Sequence, residues 1–164
     1  LFPLDNRLEV FPFLWGAQRA GLAYVAAPNK LTLSELSYIA NDCGAKLVLS
    51  CEAIDPSITS SLVDEMPDGT VFLGIGNMPS GWLDWESSFA EQSDEPIADE
   101  AFGTDMLYSS GTTGKPKGVS VTIEPSSQAE DPDPLYDIFG GLYGIGPDST
   151  YLCPAPLYHA APLR

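Results

Sequence analysis

Short apolar runs alternate with helix-length stretches through the first half of the chain, and this alternation most narrows the folds open to it. Leu22-Ala-Tyr-Val-Ala-Ala27, Lys46-Leu-Val-Leu-Ser50 and Thr70-Val-Phe-Leu-Gly-Ile75 have the length and composition of buried strands. Thr32-Leu-Ser-Glu35 is a capping box: the Thr hydroxyl can accept from the N–H three residues on while the Glu carboxylate reaches back. Leu33, Leu36, Ile39 and Ala40 recur behind it at helical spacing, and Gly44 supplies the stop. A further helix is predicted from Ile58 to Met66. Asn6-Arg-Leu-Glu9 is a second capping pattern, predicting a helix from near Arg7 to Arg19 or Ala20, closed by Gly21. Pro12 lacks a donor and crowds the carbonyl four residues back, so a kink or a late start is expected there. Strands alternating with helices at this pitch predict the α/β class, with a doubly wound, mainly parallel sheet.

The second half is less regular. From Asn77 to Asp105 the chain is acidic and rich in turn residues, although Trp82-Leu-Asp-Trp-Glu-Ser-Ser-Phe89 predicts a short helix with Trp82, Trp85 and Phe89 on one face. Such a stripe is core packing more often than a ligand platform. Thr122 to Pro134 has the composition of an exposed loop; Leu135 to Ile145 resumes a helical pattern and Thr150-Tyr-Leu-Cys153 that of a strand.

Chemistry concentrates in Met106-Leu-Tyr-Ser-Ser-Gly-Thr-Thr-Gly-Lys-Pro-Lys-Gly-Val119. Met106, Leu107 and Tyr108 can end a strand. Ser109, Ser110, Thr112 and Thr113 then offer hydroxyls, while Gly111, Gly114 and Gly118 allow backbone N–H groups to face an anion without a Cβ in the way. The chain's formal charge is −16, yet the stretch from Leu47 to Leu163 holds no Lys or Arg except Lys115 and Lys117. A polyanion held against that repulsive field needs those two lysines. The spacing is not that of the Walker loop, because Gly111 and Gly114 have two residues between them rather than four and Pro116 follows Lys115. A flexible Ser/Gly linker is the plainer alternative, but linkers do not usually follow an apolar strand or set two lysines around a proline.

Length and charge exclude much else. The 164 residues suit one domain with a substantial core. The acidic balance disfavours nucleic acid and anionic membrane surfaces as partners, and no apolar run reaches the roughly 18 residues of a spanning helix. Leu1-Phe-Pro-Leu-Asp-Asn6 lacks both an initiator Met and a basic leader, and looks like a chain entered midway. Cys43, Cys51 and Cys153 form no C-x-x-C pair and have one histidine to help them, so no metal site is expected; reduced thiols packed in a cytoplasmic protein are. His159, taken alone beside a proline-bounded turn, reads as a surface or packing residue.

Ser109 to Gly118 resembles the signature loop of the adenylate-forming superfamily, which includes acyl-CoA synthetases, luciferases and the adenylation domains of peptide synthetases. Trp15-Gly-Ala-Gln-Arg-Ala-Gly-Leu22, Leu31-Thr-Leu-Ser-Glu-Leu-Ser-Tyr-Ile39, Asp42-Cys-Gly-Ala-Lys46 and Pro156-Leu-Tyr-His-Ala-Ala-Pro162 are similar to acyl-CoA synthetases of the fatty-acid type, in matching order. The resemblance implies that residues 1–164 are part of the large N-terminal, AMP-binding domain, without the C-terminal domain or the later motifs. It implies ATP, Mg²⁺ and coenzyme A as cofactors and a small carboxylic acid as substrate: the carboxylate attacks the α-phosphorus to give an acyl-adenylate, and the thiol then displaces AMP. Ser109, Ser110, Thr112 and Thr113 are assigned to phosphate contacts, Gly111 and Gly114 to backbone donation, and Lys117 to charge compensation. Lys115, at a variable position of the family and expected to face solvent, is the weaker phosphate ligand. The aromatic-His pair borders the acyl and phosphate pockets in the family, so Tyr158 and His159 become candidates for positioning the substrate carboxylate. Many relatives continue within a few residues of the loop into a histidine and a helix, and the Thr122 to Pro134 stretch departs from this. The alternatives are a ligase with an acceptor other than coenzyme A and a degenerate, non-catalytic nucleotide-binding module.

Overall fold

The computed structural model describes residues 1–109, 115–119 and 134–163, with backbone alone at residues 134–136 and 161. The elements in order are β1 (Phe2–Pro3), α1 (Val10–Arg19), β2 (Ala23–Tyr24), β3 (Ala26–Ala27), α2 (Leu33–Asp42), β4 (Leu47–Cys51), α3 (Pro56–Glu65), β5 (Val71–Ile75), β6 (Leu83–Asp84), α4 (Trp85–Phe89), β7 (Thr104–Asp105), β8 (Leu107–Ser109), β9 (Lys117–Val119), α5 (Pro134–Tyr143) and α6 (Ala160–Leu163). No helix among the described residues is long and apolar enough to cross a membrane.

Parallel pairing dominates. β1 pairs with β3, β4 with β5, β5 with β6 and β2 with β7, all parallel. β1 also lies along β4, since the Leu1 nitrogen donates to the Leu47 carbonyl at 3.0 Å and the Leu49 N–H to the Leu1 carbonyl at 2.9 Å. The order β3-β1-β4-β5-β6 follows, with the chain leaving β1 to one side and returning on the other.

The sheet is covered on both faces, and the pleat explains how. Val25, Ala27, Val48 and Phe72 pack with Leu36, Ile39 and Ala40 of α2 and Leu62 of α3. Their strand neighbours Phe2, Ala26, Leu49 and Leu73 point the other way and pack with Val10 and Leu14 of α1. Each buried Leu or Phe stabilises the fold by about 1.5–3 kcal/mol. This is the doubly wound arrangement that the alternation of runs predicts.

Local signals act as expected where the chain closes on itself. The Thr32–Glu35 capping box forms, with Thr32 N–H donating to Glu35 Oε2 at 2.8 Å and Glu35 N–H to Thr32 Oγ1 at 3.4 Å. Both α1 and α2 end with a glycine in the left-handed region, Gly21 (φ 67°) and Gly44 (φ 62°). The following N–H groups, of Leu22 and Ala45, reach back to the carbonyls of Ala17 and Ala40 at 2.9 Å. α3 begins two residues before its predicted start because Asp55 caps it, accepting from Ser57 N–H at 2.8 Å ahead of Pro56.

Four expectations need correction. The Asn6–Glu9 box does not form: Glu9 pairs with Arg7 at 3.0 Å and Asn6 is engaged elsewhere, while α1 starts at Val10, the late start that Pro12 leads one to expect. Pro12 then falls in the first turn, where helix N–H groups have no partner to lose. The Leu22–Ala27 run is two strands, because its residues pair with β7 before Val25 and with β1 after it. The aromatic stripe is divided: Trp82 packs on Phe72 (ring centroids 5.1 Å) and donates to the Thr59 carbonyl at 3.1 Å, whereas Trp85 packs toward Phe13 on the opposite face. Thr150–Cys153 is not a strand, since β propensity is realised only where tertiary context calls for it. The Thr122–Pro134 stretch lies almost wholly outside the described residues.

Candidate active site

Met106 extends the parallel β2–β7 ladder, its N–H donating to the Tyr24 carbonyl at 2.8 Å, and beyond it β8 and β9 pair antiparallel as a hairpin. β8 and β9 pair Leu107 with Val119, Tyr108 with Gly118 and Ser109 with Lys117. Ser109 and Lys117 are therefore cross-strand neighbours, both exposed at the end where the hairpin opens into residues 110–116. Ser110, Gly111, Thr112, Thr113 and Gly114, the other expected phosphate ligands, lie outside the described residues.

Two contacts hold the hairpin on the α2 face. The Tyr108 hydroxyl donates to Asp42 Oδ2 at 2.6 Å. Burial, then that bond, pushes the phenol's pKa well above its ordinary range, so it stays protonated as a donor. Lys115 is exposed, as expected, and its Nζ stands 5.2 Å from the centroid of the Tyr38 ring. Tyr38 and Asp42 are four residues apart on α2 and so share one face. One helix thus receives the chain on both sides of residues 110–114.

Gly118 has a steric reason. A Cβ there would overlap Met106 Cε and stand 2.9 Å from Tyr108 Cζ and 3.1 Å from its hydroxyl, in the ring bonded to Asp42. A side chain at this position would push against the contact that seats the hairpin.

Tyr158 and His159 lie together elsewhere. Their ring centroids are 4.5 Å apart at 52°. Leu157, Tyr158 and Leu163 pack against the core on the α1 face, while Met106 and Tyr108 of the hairpin pack against the core on the α2 face. The structure brings Ser109 to Lys117 and Tyr158 to His159, and no described contact joins the two pairs.

Asn6 is the residue that sequence reasoning missed. Its Nδ2 donates to the Ala155 carbonyl at 3.0 Å and its Oδ1 accepts from Leu157 N–H at 2.8 Å. Asn6 carried the signal of a helix cap, and no local pattern points to a partner some 150 residues away. Tyr38 and Asp42 were likewise legible only as helix residues.

A hydroxyl and a lysine side by side at the mouth of a glycine-rich loop fit the charge of a nucleotide's phosphates. The described residues offer no comparable site for a metal: no group of three or more His, Cys, Asp or Glu among them is placed to hold one. Cys51 is buried, and Cys43 and Cys153 are half-buried.

The family model for AMP-binding enzymes matches residues 2–164. The long-chain-fatty-acid–CoA ligase FadD13 of Mycobacterium tuberculosis is 32% identical over 168 residues, an alignment covering 98% of this chain and 30% of that protein. The crystal structure of a protein described as a long-chain-fatty-acid CoA ligase from Rhodopseudomonas palustris superposes with a TM-score of 0.77 at 14% identity, over 99% of this chain and 39% of that one. ATP-bound MatB from the same species superposes with a TM-score of 0.70 at 24% identity, over 99% of this chain and 31% of that one. The chain thus spans about a third of the length of these relatives. Matched across 163 of its residues from β1 onward, it belongs to the family of AMP-binding enzymes.

Proposed function

We propose that this chain is the phosphate-handling part of the large N-terminal domain of an acyl-CoA synthetase, which activates a carboxylic acid as an acyl-adenylate and transfers it to coenzyme A. The observation that carries the reading is the Ser109–Lys117 pair at the mouth of the hairpin, in a loop with the family's signature. The physical requirement is charge control. A carboxylate approaching a triphosphate meets strong repulsion, which fixed donors must offset where negative charge develops. Lys117 supplies a cation at that mouth and Ser109 a hydroxyl. Ser110, Thr112 and Thr113 add hydroxyls in this reading, and Gly111 and Gly114 add backbone N–H groups. Lys115, held over Tyr38, has the lesser role. Tyr158 and His159 position the acid. Magnesium finds no ligand set among the described residues.

The test is acid-dependent ATP–pyrophosphate exchange by the protein as its gene encodes it, with a panel of fatty and aromatic acids. Exchange that requires one class of acid, followed by thioester formation when coenzyme A is added, supports the reading. Exchange without thioester formation favours an acceptor other than coenzyme A. Absence of exchange by the folded protein with every acid favours a degenerate nucleotide-binding module. The 164-residue chain, which spans about a third of its relatives' length, is expected to show no exchange by itself, because part of a site supplies only part of the transition-state stabilisation.

A further inference from the structure

We infer that Asn6 is a positioning residue for the Tyr158–His159 segment, acting as a side-chain surrogate for a β-strand neighbour. The inference rests on the reading above only in taking that segment as the acid side of the site. The geometry itself is independent of it. In a parallel ladder one residue donates to the carbonyl of j−1 and accepts from the N–H of j+1. Leu1 does this with Leu47 and Leu49 in the sheet. Asn6 does the same with its amide, donating to Ala155 and accepting from Leu157 at 3.0 and 2.8 Å. The two bonds fix both the position and the direction of a segment that has no ladder of its own.

Among the described residues, the segment's other long-range contacts are apolar. Leu157, Tyr158 and Leu163 meet the α1-face core through apolar packing, which is non-directional. Leu157 N–H, held by Asn6, immediately precedes Tyr158, so the amide sets where the Tyr158–His159 pair starts. Asn6 also sits in the turn after β1, at the carboxyl ends of β1 and β4. The order β3-β1-β4 makes that the point where the chain reverses direction, the usual place for ligands in open α/β sheets.

Two variants of the protein as its gene encodes it test this. Asn6→Ala removes both bonds; Asn6→Asp keeps an acceptor for Leu157 N–H but sets a carboxylate against the Ala155 carbonyl. Hydrogen exchange at the Leu157 amide and the KM values in ATP–pyrophosphate exchange are the readouts. Asn6→Ala is expected to lose Leu157 protection while β4 and β5 stay protected, and to raise KM for the acid about tenfold with KM for ATP within about twofold. Asn6→Asp should fall between, and carries the test if Asn6→Ala does not fold. Unchanged Leu157 protection overturns the inference, as does an unchanged KM for the acid. A parallel rise in both KM values also overturns it, by indicating general loosening. Lack of exchange in the unsubstituted protein sinks the adenylation reading instead, whereas exchange indifferent to Asn6 sinks the positioning role alone.

Discussion

Residues 1–105 and residues 106–163 are built on different principles. Every described residue that is buried lies in the first region, where strand side chains alternate between the α2–α3 face and the α1 face. The described candidate site residues lie in the second, which rests on the first through the packing of Met106, Tyr108, Leu157, Tyr158 and Leu163, none of them buried, and through a few polar contacts: Tyr108 on Asp42, Lys115 by Tyr38, and Asn6 on Ala155 and Leu157. Burial makes the first region costly to deform. Partial burial and few polar contacts leave the second open to local displacement, which suits groups that must meet a ligand.

The comparison breaks first, and hardest, at Leu49. It is fully buried between β1 and β5, and Leu49→Ala should cost about 2–5 kcal/mol in chemical denaturation, loosening both regions together. A loss below about 1 kcal/mol would mean that the body does not set the stability of the whole. Lys117→Ala should act the other way, leaving the denaturation midpoint in place. Single-turnover adenylate formation should fall about 10- to 150-fold, the effect of losing a charge-assisted contact worth roughly 1.5–3 kcal/mol in the transition state. Equal rates would make the lysine passive and leave the phosphates to backbone N–H groups.

Gly118→Ala sharpens the boundary between the regions. Forcing Met106 and Tyr108 aside should cost about 1–3 kcal/mol, read as lost amide protection in β8 and β9 with β4 and β5 unaffected. Thr32→Ala tests the body at a surface cap, with an expected cost of about 0.5–2 kcal/mol. Its partner Glu35 has its pKa lowered by the backbone and side-chain bonds of Thr32. The stabilisation from that ionised partner is present above the ordinary carboxyl pKa of about 4.3 and is lost as pH falls through the lowered value. The gap between Thr32→Ala and the unsubstituted protein should therefore narrow in acid. Lys115→Ala should have the smallest effect, about 0.5–1 kcal/mol of hairpin docking, because its ammonium lies over Tyr38 in an exposed setting.

The legible parts share a scale. Thr32 and Glu35, Gly21 and Gly44 act within a helical turn of themselves, so their geometry follows from neighbours in the chain. The loop signature was legible for a related reason: its hydroxyls, glycines and lysines are contiguous. Asn6 misled because its amide can satisfy either a nearby helix N–H or a distant strand, and the distant partner makes two bonds where the cap would make one.

From the sequence alone came the α/β class, the family and the ordering of helices and strands, because hydrophobic period, caps and contiguous motifs are properties of neighbouring residues. Tertiary structure alone decided that Leu22–Ala27 serves two ladders, that Trp82 and Trp85 face opposite cores, and that Lys115 lies over Tyr38. It also decided that Asn6 holds the Tyr158–His159 segment. Each of these is a choice among partners far apart in the chain, and a side chain or backbone group that several partners could satisfy is committed only when packing brings one of them within reach.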